Sequence, residues 1–201
     1  MELGRARYLP TLTTSYNSIY SLRVKIKMKF LRTLHSLSQN RNYWLLYIIG
    51  SLALLCIALY FQYINHEQPC VMCIQVRLWI SLLVLIAGFG FLTRNNRALN
   101  LLSNLSVVLV AAALTERSYM LLGTERGFVF SDCGFDPGLP AWLPLDTWLP
   151  WLYRVETTCG YTPELIFGIT MAETLMVMSI ILLLLSLGVF LANMVNFKNQ
   201  E

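Results

Sequence analysis

Residues 43–64 read YWLLYIIGSLALLCIALYFQYI, 22 residues without a charge. A helix rises 1.5 Å per residue, so about 20 apolar residues cross a hydrocarbon core of about 30 Å. No period-2 alternation points to a strand. In lipid the backbone must satisfy its own hydrogen bonds, so the stretch predicts a membrane-spanning helix. The rest of the 201-residue chain agrees. It is 56% hydrophobic and only 13% charged, with mean hydropathy +0.57, where a soluble domain carries about 25% charge.

Three more runs qualify. Residues 71–92 hold one charge, Arg77; residues 98–115 continue helically towards Leu122; residues 174–192 are uncharged, with a helix start expected upstream near Leu165. The pattern predicts an all-α membrane protein, a four-helix bundle with helices at about 43–64, 71–92, 98–122 and 165–192. A long Pro- and Trp-rich loop spans 123–164, an N-terminal arm covers 1–42 and a tail covers 193–201.

Lys and Arg set the expected orientation. Eight precede or open the first helix (Arg5, Arg7, Arg23, Lys25, Lys27, Lys29, Arg32 and Arg41), Arg94 and Arg97 sit in the middle loop, and Lys198 in the tail. The loop at 64–70 has none, and the long loop has Arg126 and Arg154. Both termini are therefore expected in the cytoplasm. The net charge of +4 reflects mostly this asymmetry and calls for no nucleic-acid partner. The first helix is too long for a signal-peptide core. Residues 1–27 are polar and lack an apolar period. They read either as a disordered or interfacial cytoplasmic arm or, because Met28-Lys29-Phe30-Leu31-Arg32 reads like a short basic N-terminus, as an extension from an upstream start.

This topology sorts the five cysteines. Cys70 and Cys73 fall at the outer end of the second helix, Cys133 and Cys159 in the long outer loop, and Cys56 mid-membrane, where it is expected to serve packing. Four cysteines on the oxidising side fit two bridges. The C-x-x-C spacing at a helix start brings two sulfurs within bridging range. The helix N-terminus stabilises a thiolate there, and Pro69 suits that start. Arg77 follows Cys73 by four residues and so shares its helical face. Buried without a partner it would cost at least about 2.5 kcal/mol, so it has either a functional partner or a route to the interface.

Other readings compete. The C-x-x-C is also half a zinc site, but the remaining outer cysteines are 26 positions apart and the one nearby histidine is His66. A bridge between Cys133 and Cys159 could simply close a long loop. Trp142, Trp148 and Trp151 among leucines suit the membrane–water boundary. Leu145–Tyr153 is expected as a short helix lying on the outer surface.

The motifs together resemble the disulfide bond formation protein B (DsbB) family, bacterial inner-membrane quinone reductases that reoxidise DsbA. MKFLRTLHSLSQNRNYWLL (28–46) is similar to that family's N-terminus, PCVMCIQVRLW (69–79) to its P-C-x-x-C-x-x-x-R signature, and AWLPLDTWLPWLYRVETTC (141–159) to its W-L-P-L-D loop ending in cysteine. The resemblance implies a Cys70–Cys73 pair coupled to a quinone, ubiquinone or menaquinone. It implies a mobile Cys133–Cys159 pair that oxidises a periplasmic DsbA-like partner, with Cys133 attacked first. It implies Arg77 beside the quinone ring and Met171 as a further quinone contact. Two departures stand out. Arg117 is followed by Ser118 where many relatives have His, and ELIFGITMAET (164–174) puts Glu164 and Thr174 where relatives carry Trp. A vitamin-K-epoxide-reductase-like enzyme is the alternative, but its C-x-x-C usually falls late in the chain. A non-enzymatic metal-binding membrane protein would call for more intramembrane carboxylate or histidine than Glu116 and Glu173 supply.

Overall fold

The computed structural model describes residues 36, 38–129, 138–139, 144–158, 162, 164–166 and 168–198. Four long helices dominate: α1 (Arg41–Tyr63), α2 (Val71–Thr93), α3 (Arg97–Glu125) and α6 (Met171–Lys198). Between α3 and α6 come two single-turn helices, α4 (Leu145–Trp148) and α5 (Pro150–Tyr153), then an antiparallel pair, β1 (Glu164–Ile166) and β2 (Ile169–Thr170). All four long helices are long and apolar enough to cross a membrane. Their outward faces carry bare leucines, such as Leu46 (71% exposed), Leu85 (70%) and Leu184 (64%). In water such a surface would aggregate; in lipid it is the solvent-matched face. The chain is a multi-pass membrane protein.

Local chemistry sets the helix starts. Asn40 and Asn96 cap α1 and α3, their side-chain oxygens accepting from the backbone N–H of Asn42 (3.1 Å) and Ala98 (3.2 Å). The start of α6 departs from the expected Leu165. Gly168 adopts φ +75°, and the hairpin occupies 164–170. Thr170 and Glu173 then form a reciprocal capping box. The Glu173 backbone N–H donates to Thr170 Oγ1 (3.3 Å) and the Thr170 N–H to Glu173 Oε2 (3.2 Å). The helix also runs to Lys198, beyond the expected 192. The expected surface helix at 145–153 is broken into two turns at Leu149. Pro150 disfavours the helical conformation in the residue before it and offers no N–H.

The helices pack in sequence: α1 on α2, α2 on α3, α3 on α6. The α3–α6 seam is lined by small or amide side chains, among them Ala111 and Ser118 on α3 and Ala172, Ser179, Ser186 and Asn193 on α6. The four on α6 recur every seven residues, and small residues let membrane helices approach closely. At the end away from Cys70, the fully buried Trp44 fits against Gly90, where a Cβ would lie 2.4 Å from the indole ring. Around it the Ser38 carbonyl accepts from Trp44 Nε1 (2.9 Å) and Asn100 Nδ2 (3.1 Å), and Ser38 Oγ donates to Asn193 Oδ1 (2.9 Å). These bonds tie the residues before α1 to α1, α3 and α6. α1 packs on α2 and, through Trp44 and Tyr47, against Val107 and Val110 of α3.

Candidate functional site

At the other end, α2 begins at a cysteine. Cys70 is the N-cap, and its Sγ accepts from the Cys73 backbone N–H at 3.4 Å. The two sulfurs are 3.0 Å apart, so a small rotation separates this spacing from a covalent bond of about 2.05 Å. Their exposures differ: Cys70 is 1% exposed, whereas Cys73 is half-buried. Unpaired N–H groups at a helix start favour a thiolate at the capping position.

The segment after α5 is zipped onto this cysteine. The Glu156 and Thr157 N–H groups donate to the Pro69 carbonyl (3.0 and 3.3 Å), and Thr157 pairs with Cys70 in an isolated parallel bridge. Thr157 lies two residues before Cys159 in sequence. Cys159 and Cys133 themselves lie outside the described residues. Cys56, expected to serve packing, is exposed on the outward face of α1.

Arg77 lies one turn below Cys73 and is 5% exposed. It does not reach to the interface. Nη1 donates to Gln62 Oε1 (2.6 Å) and the Leu152 carbonyl (3.1 Å), and Nη2 to the Ala58 carbonyl (3.2 Å). Leu152 is held a second way, because its neighbour Tyr153 donates from its hydroxyl to Ser81 Oγ (2.8 Å), and Ser81 Oγ to the Arg77 carbonyl (2.8 Å). Arg77 thus joins α1, α2 and α5. All three acceptors are neutral, and among the described residues Arg77 has no carboxylate within ion-pair distance. The guanidinium is solvated by oxygens but not neutralised.

A cavity of about 160 Å³ opens beside it, on the α1–α6 side. Cys73, Arg77 and Gln62 line it, with Met171, Thr174 and Leu175 of α6 across from α1. Three of the residues singled out in the sequence, Cys73, Arg77 and Met171, thereby share one space. Thr174 also borders it. Ser118 does not. It is fully buried in α3, and its hydroxyl has no hydrogen-bond partner among the described residues. Glu173 is engaged in the capping box and an ion pair with Arg126, and Glu116 pairs with Arg117 (3.1 Å). Gln62 escaped notice in the sequence, although an amide inside an otherwise apolar run was the available signal.

Known proteins bear on this arrangement. The family model for Disulfide bond formation protein DsbB matches residues 40–189. Disulfide bond formation protein B of Shewanella amazonensis is 34% identical over 148 residues, covering 73% of this chain and 88% of that protein. That of Psychromonas ingrahamii is 34% identical over 152 residues, covering 73% and 80%. Disulfide bond formation protein B 2 of Pseudomonas aeruginosa is 31% identical over 135 residues, covering 66% and 80%.

Proposed function

The chain belongs to the DsbB family of disulfide bond formation proteins, and from that premise we propose that it reoxidises a periplasmic DsbA-like dithiol protein and passes the electrons to a membrane quinone. The circuit has two exchanges and one terminal step. A partner thiolate attacks the Cys133–Cys159 disulfide at Cys133, and the partner's second thiol completes its own disulfide, leaving Cys133 and Cys159 reduced. That pair then reduces Cys70–Cys73 by the same chemistry. The Cys70–Cys73 dithiol finally reforms its disulfide as two electrons and two protons pass to the quinone. Each step moves one electron pair: the two exchanges break one S–S bond for each one formed, and the terminal step forms one S–S bond as the quinone is reduced to the quinol.

The observation that carries the reading is an un-neutralised buried arginine sharing an apolar cavity with the half-exposed cysteine of a C-x-x-C. No carboxylate lies within ion-pair distance of Arg77 among the described residues, which leaves its remaining donor capacity for a site where negative charge develops during reaction. Quinone, when bound, supplies a two-electron acceptor whose ring oxygens gain that charge. The residues present fit such a group. About 160 Å³ is close to the cavity of about 150 Å³ that holds a benzene ring elsewhere. The lining is mainly apolar, with Arg77 as donor. Guanidinium, fixed by three carbonyl-type oxygens, is preorganised for a developing anion in a water-poor space. Cys73, the sulfur that lines the cavity, is the one that donates to the quinone, and Cys70 lies 3.0 Å from it, placed to close the disulfide. The zipped Pro69–Thr157 contact supports transfer between pairs, because it keeps the segment leading to Cys159 against Cys70. The Lys and Arg distribution supports a bacterial inner-membrane location with both termini cytoplasmic and the four outer cysteines in the periplasm. A DsbA-like partner lacking its second cysteine should stay trapped on Cys133 of the parent protein as a mixed disulfide, resolved on non-reducing gels and identified by mass spectrometry. Capture of a thioredoxin-fold dithiol protein is the expected result. A parent protein that oxidises the intact partner yet forms no mixed disulfide with the resolving-cysteine variant would contradict the proposal.

A further inference from the structure

Gln62 is the one amide facing the Arg77 cavity from within a membrane-spanning helix. It is 8% exposed, lies on α1 in the turn after Ala58, and lines the same cavity as Cys73. Its orientation follows from its neighbour. A guanidinium has only donors, so the 2.6 Å contact with Arg77 Nη1 requires the amide oxygen, Oε1, on that side. The Nε2 group must then point away from Arg77. Among the described residues it donates to no acceptor, and it is not among the fully enclosed polar atoms without partners. Its two N–H donors therefore open onto the cavity. An amide donor left without an acceptor in an apolar surrounding is unfavourable by about 1–3 kcal/mol, so this group is suited to a ligand that brings the acceptor.

We infer that Gln62 is a binding residue for the electron acceptor: Oε1 fixes Arg77 while Nε2 donates to a ring oxygen of the quinone. Such a role holds only if a quinone enters this cavity, as proposed above. The pairing favours the oxidised ligand. Its carbonyl oxygens are acceptors only, matching the donors of Arg77 and Gln62, whereas the quinol's hydroxyls each carry a hydrogen that must turn aside. The same geometry thus helps the product leave. The other polar groups at the cavity are Thr174, the half-buried Glu67 and the exposed Gln68, the last two from the α1–α2 loop.

Two substitutions bear on the two halves of the amide. Gln62→Glu keeps an oxygen for Arg77 and removes the donor but sets a carboxylate against the guanidinium; Gln62→Leu removes both without adding charge, so a raised KM in both variants does not rest on neutralising Arg77. Full-length variants would be purified in detergent and assayed with a reduced dithiol partner and a soluble short-chain ubiquinone, following quinone absorbance, with thermal melts alongside. The expected result is a KM for quinone raised about fivefold to tenfold in both variants, the size of one lost hydrogen bond, with Gln62→Glu melting close to the parent protein. A Gln62→Glu enzyme with KM within twofold of the parent would overturn the inference, leaving Gln62 as a support for Arg77 alone. Failure of the parent protein to reduce quinone would instead overturn the proposed function. Should Gln62→Leu fail to fold, Gln62→Glu still decides the matter; should both fail, Gln62→Asn, which pulls the donor back by one methylene, must show the raised KM or the inference falls.

Discussion

Arg77 is where the chemistry of single residues is clearest. Its charge is buried one turn below Cys73, dressed by Gln62, Ala58 and Leu152, with no carboxylate within ion-pair distance among the described residues. Lysine at that place could reach one or two of those acceptors as a point charge, whereas the guanidinium fork reaches all three. Arg77→Lys should therefore keep part of the activity. Arg77→Met should raise the KM for quinone and slow turnover, about tenfold or more if ~1.4 kcal/mol of stabilisation is lost; quinone absorbance kinetics on the purified variant check this. Unchanged kinetics in Arg77→Met would leave the residue a structural joint between α1, α2 and α5. Gly90 offers a separate test of packing. A methyl there would meet the Trp44 ring at 2.4 Å, so Gly90→Ala should destabilise the bundle by about 1–3 kcal/mol, seen as a lowered melting temperature in detergent. The site is far away, and quinone KM should not move.

The helices show what a sequence discloses and what it withholds. Uncharged runs mark the spans directly, because hydrocarbon admits little else, and the observed α1, α2 and α3 begin within two residues of the expected starts. The start of α6 was hidden, because Leu165 and Ile166 are as apolar as any helical residue. The decision lies instead in Gly168 at positive φ and in the Thr170–Glu173 box, local signals that apolarity overshadows. The same holds for 145–153, where Pro150 splits an otherwise plausible helix. At the site, the cysteine pair and Arg77 were legible because a reactive pair and a buried charge are conspicuous in an apolar run. Gln62 and the Pro69–Thr157 zipper were not, since partners 15 residues or more away are fixed by packing rather than by spacing. Thr170 links these levels: it caps α6 and donates to Glu125 Oε2 (3.2 Å), which also accepts from Thr162 Oγ1 (2.6 Å). Thr170→Ala should destabilise by about 1 kcal/mol. Glu173→Gln keeps a capping oxygen and loses only a half-exposed ion pair with Arg126, so it should change little. Thermal melts of the two variants distinguish them.

For the whole molecule, the proposal is an electrical one. A soluble dithiol protein cannot reach a quinone in lipid, so electrons need an outer pair that meets the partner and an inner pair that meets the membrane. The bundle suits that division: α3 and α6 pack closely, α1 leans on α2, and the cavity lined from both α1 and α6 holds Cys73 and Arg77. The orientation is checked in intact, reduced cells with a membrane-impermeant thiol reagent, using a Cys56→Ser background to silence the outward cysteine of α1. Cys133 and Cys159 should be labelled, and labelling only after permeabilisation would reverse the topology. The most direct measurement of the central claim is quinone absorbance during anaerobic turnover of the purified protein with a reduced DsbA-like partner. One quinone should be lost for each partner disulfide formed, and the loss should cease in both the Cys70→Ser/Cys73→Ser and the Cys133→Ser/Cys159→Ser double variants. Partner oxidation at the normal rate in either double variant, or without quinone loss, would contradict the two-pair circuit.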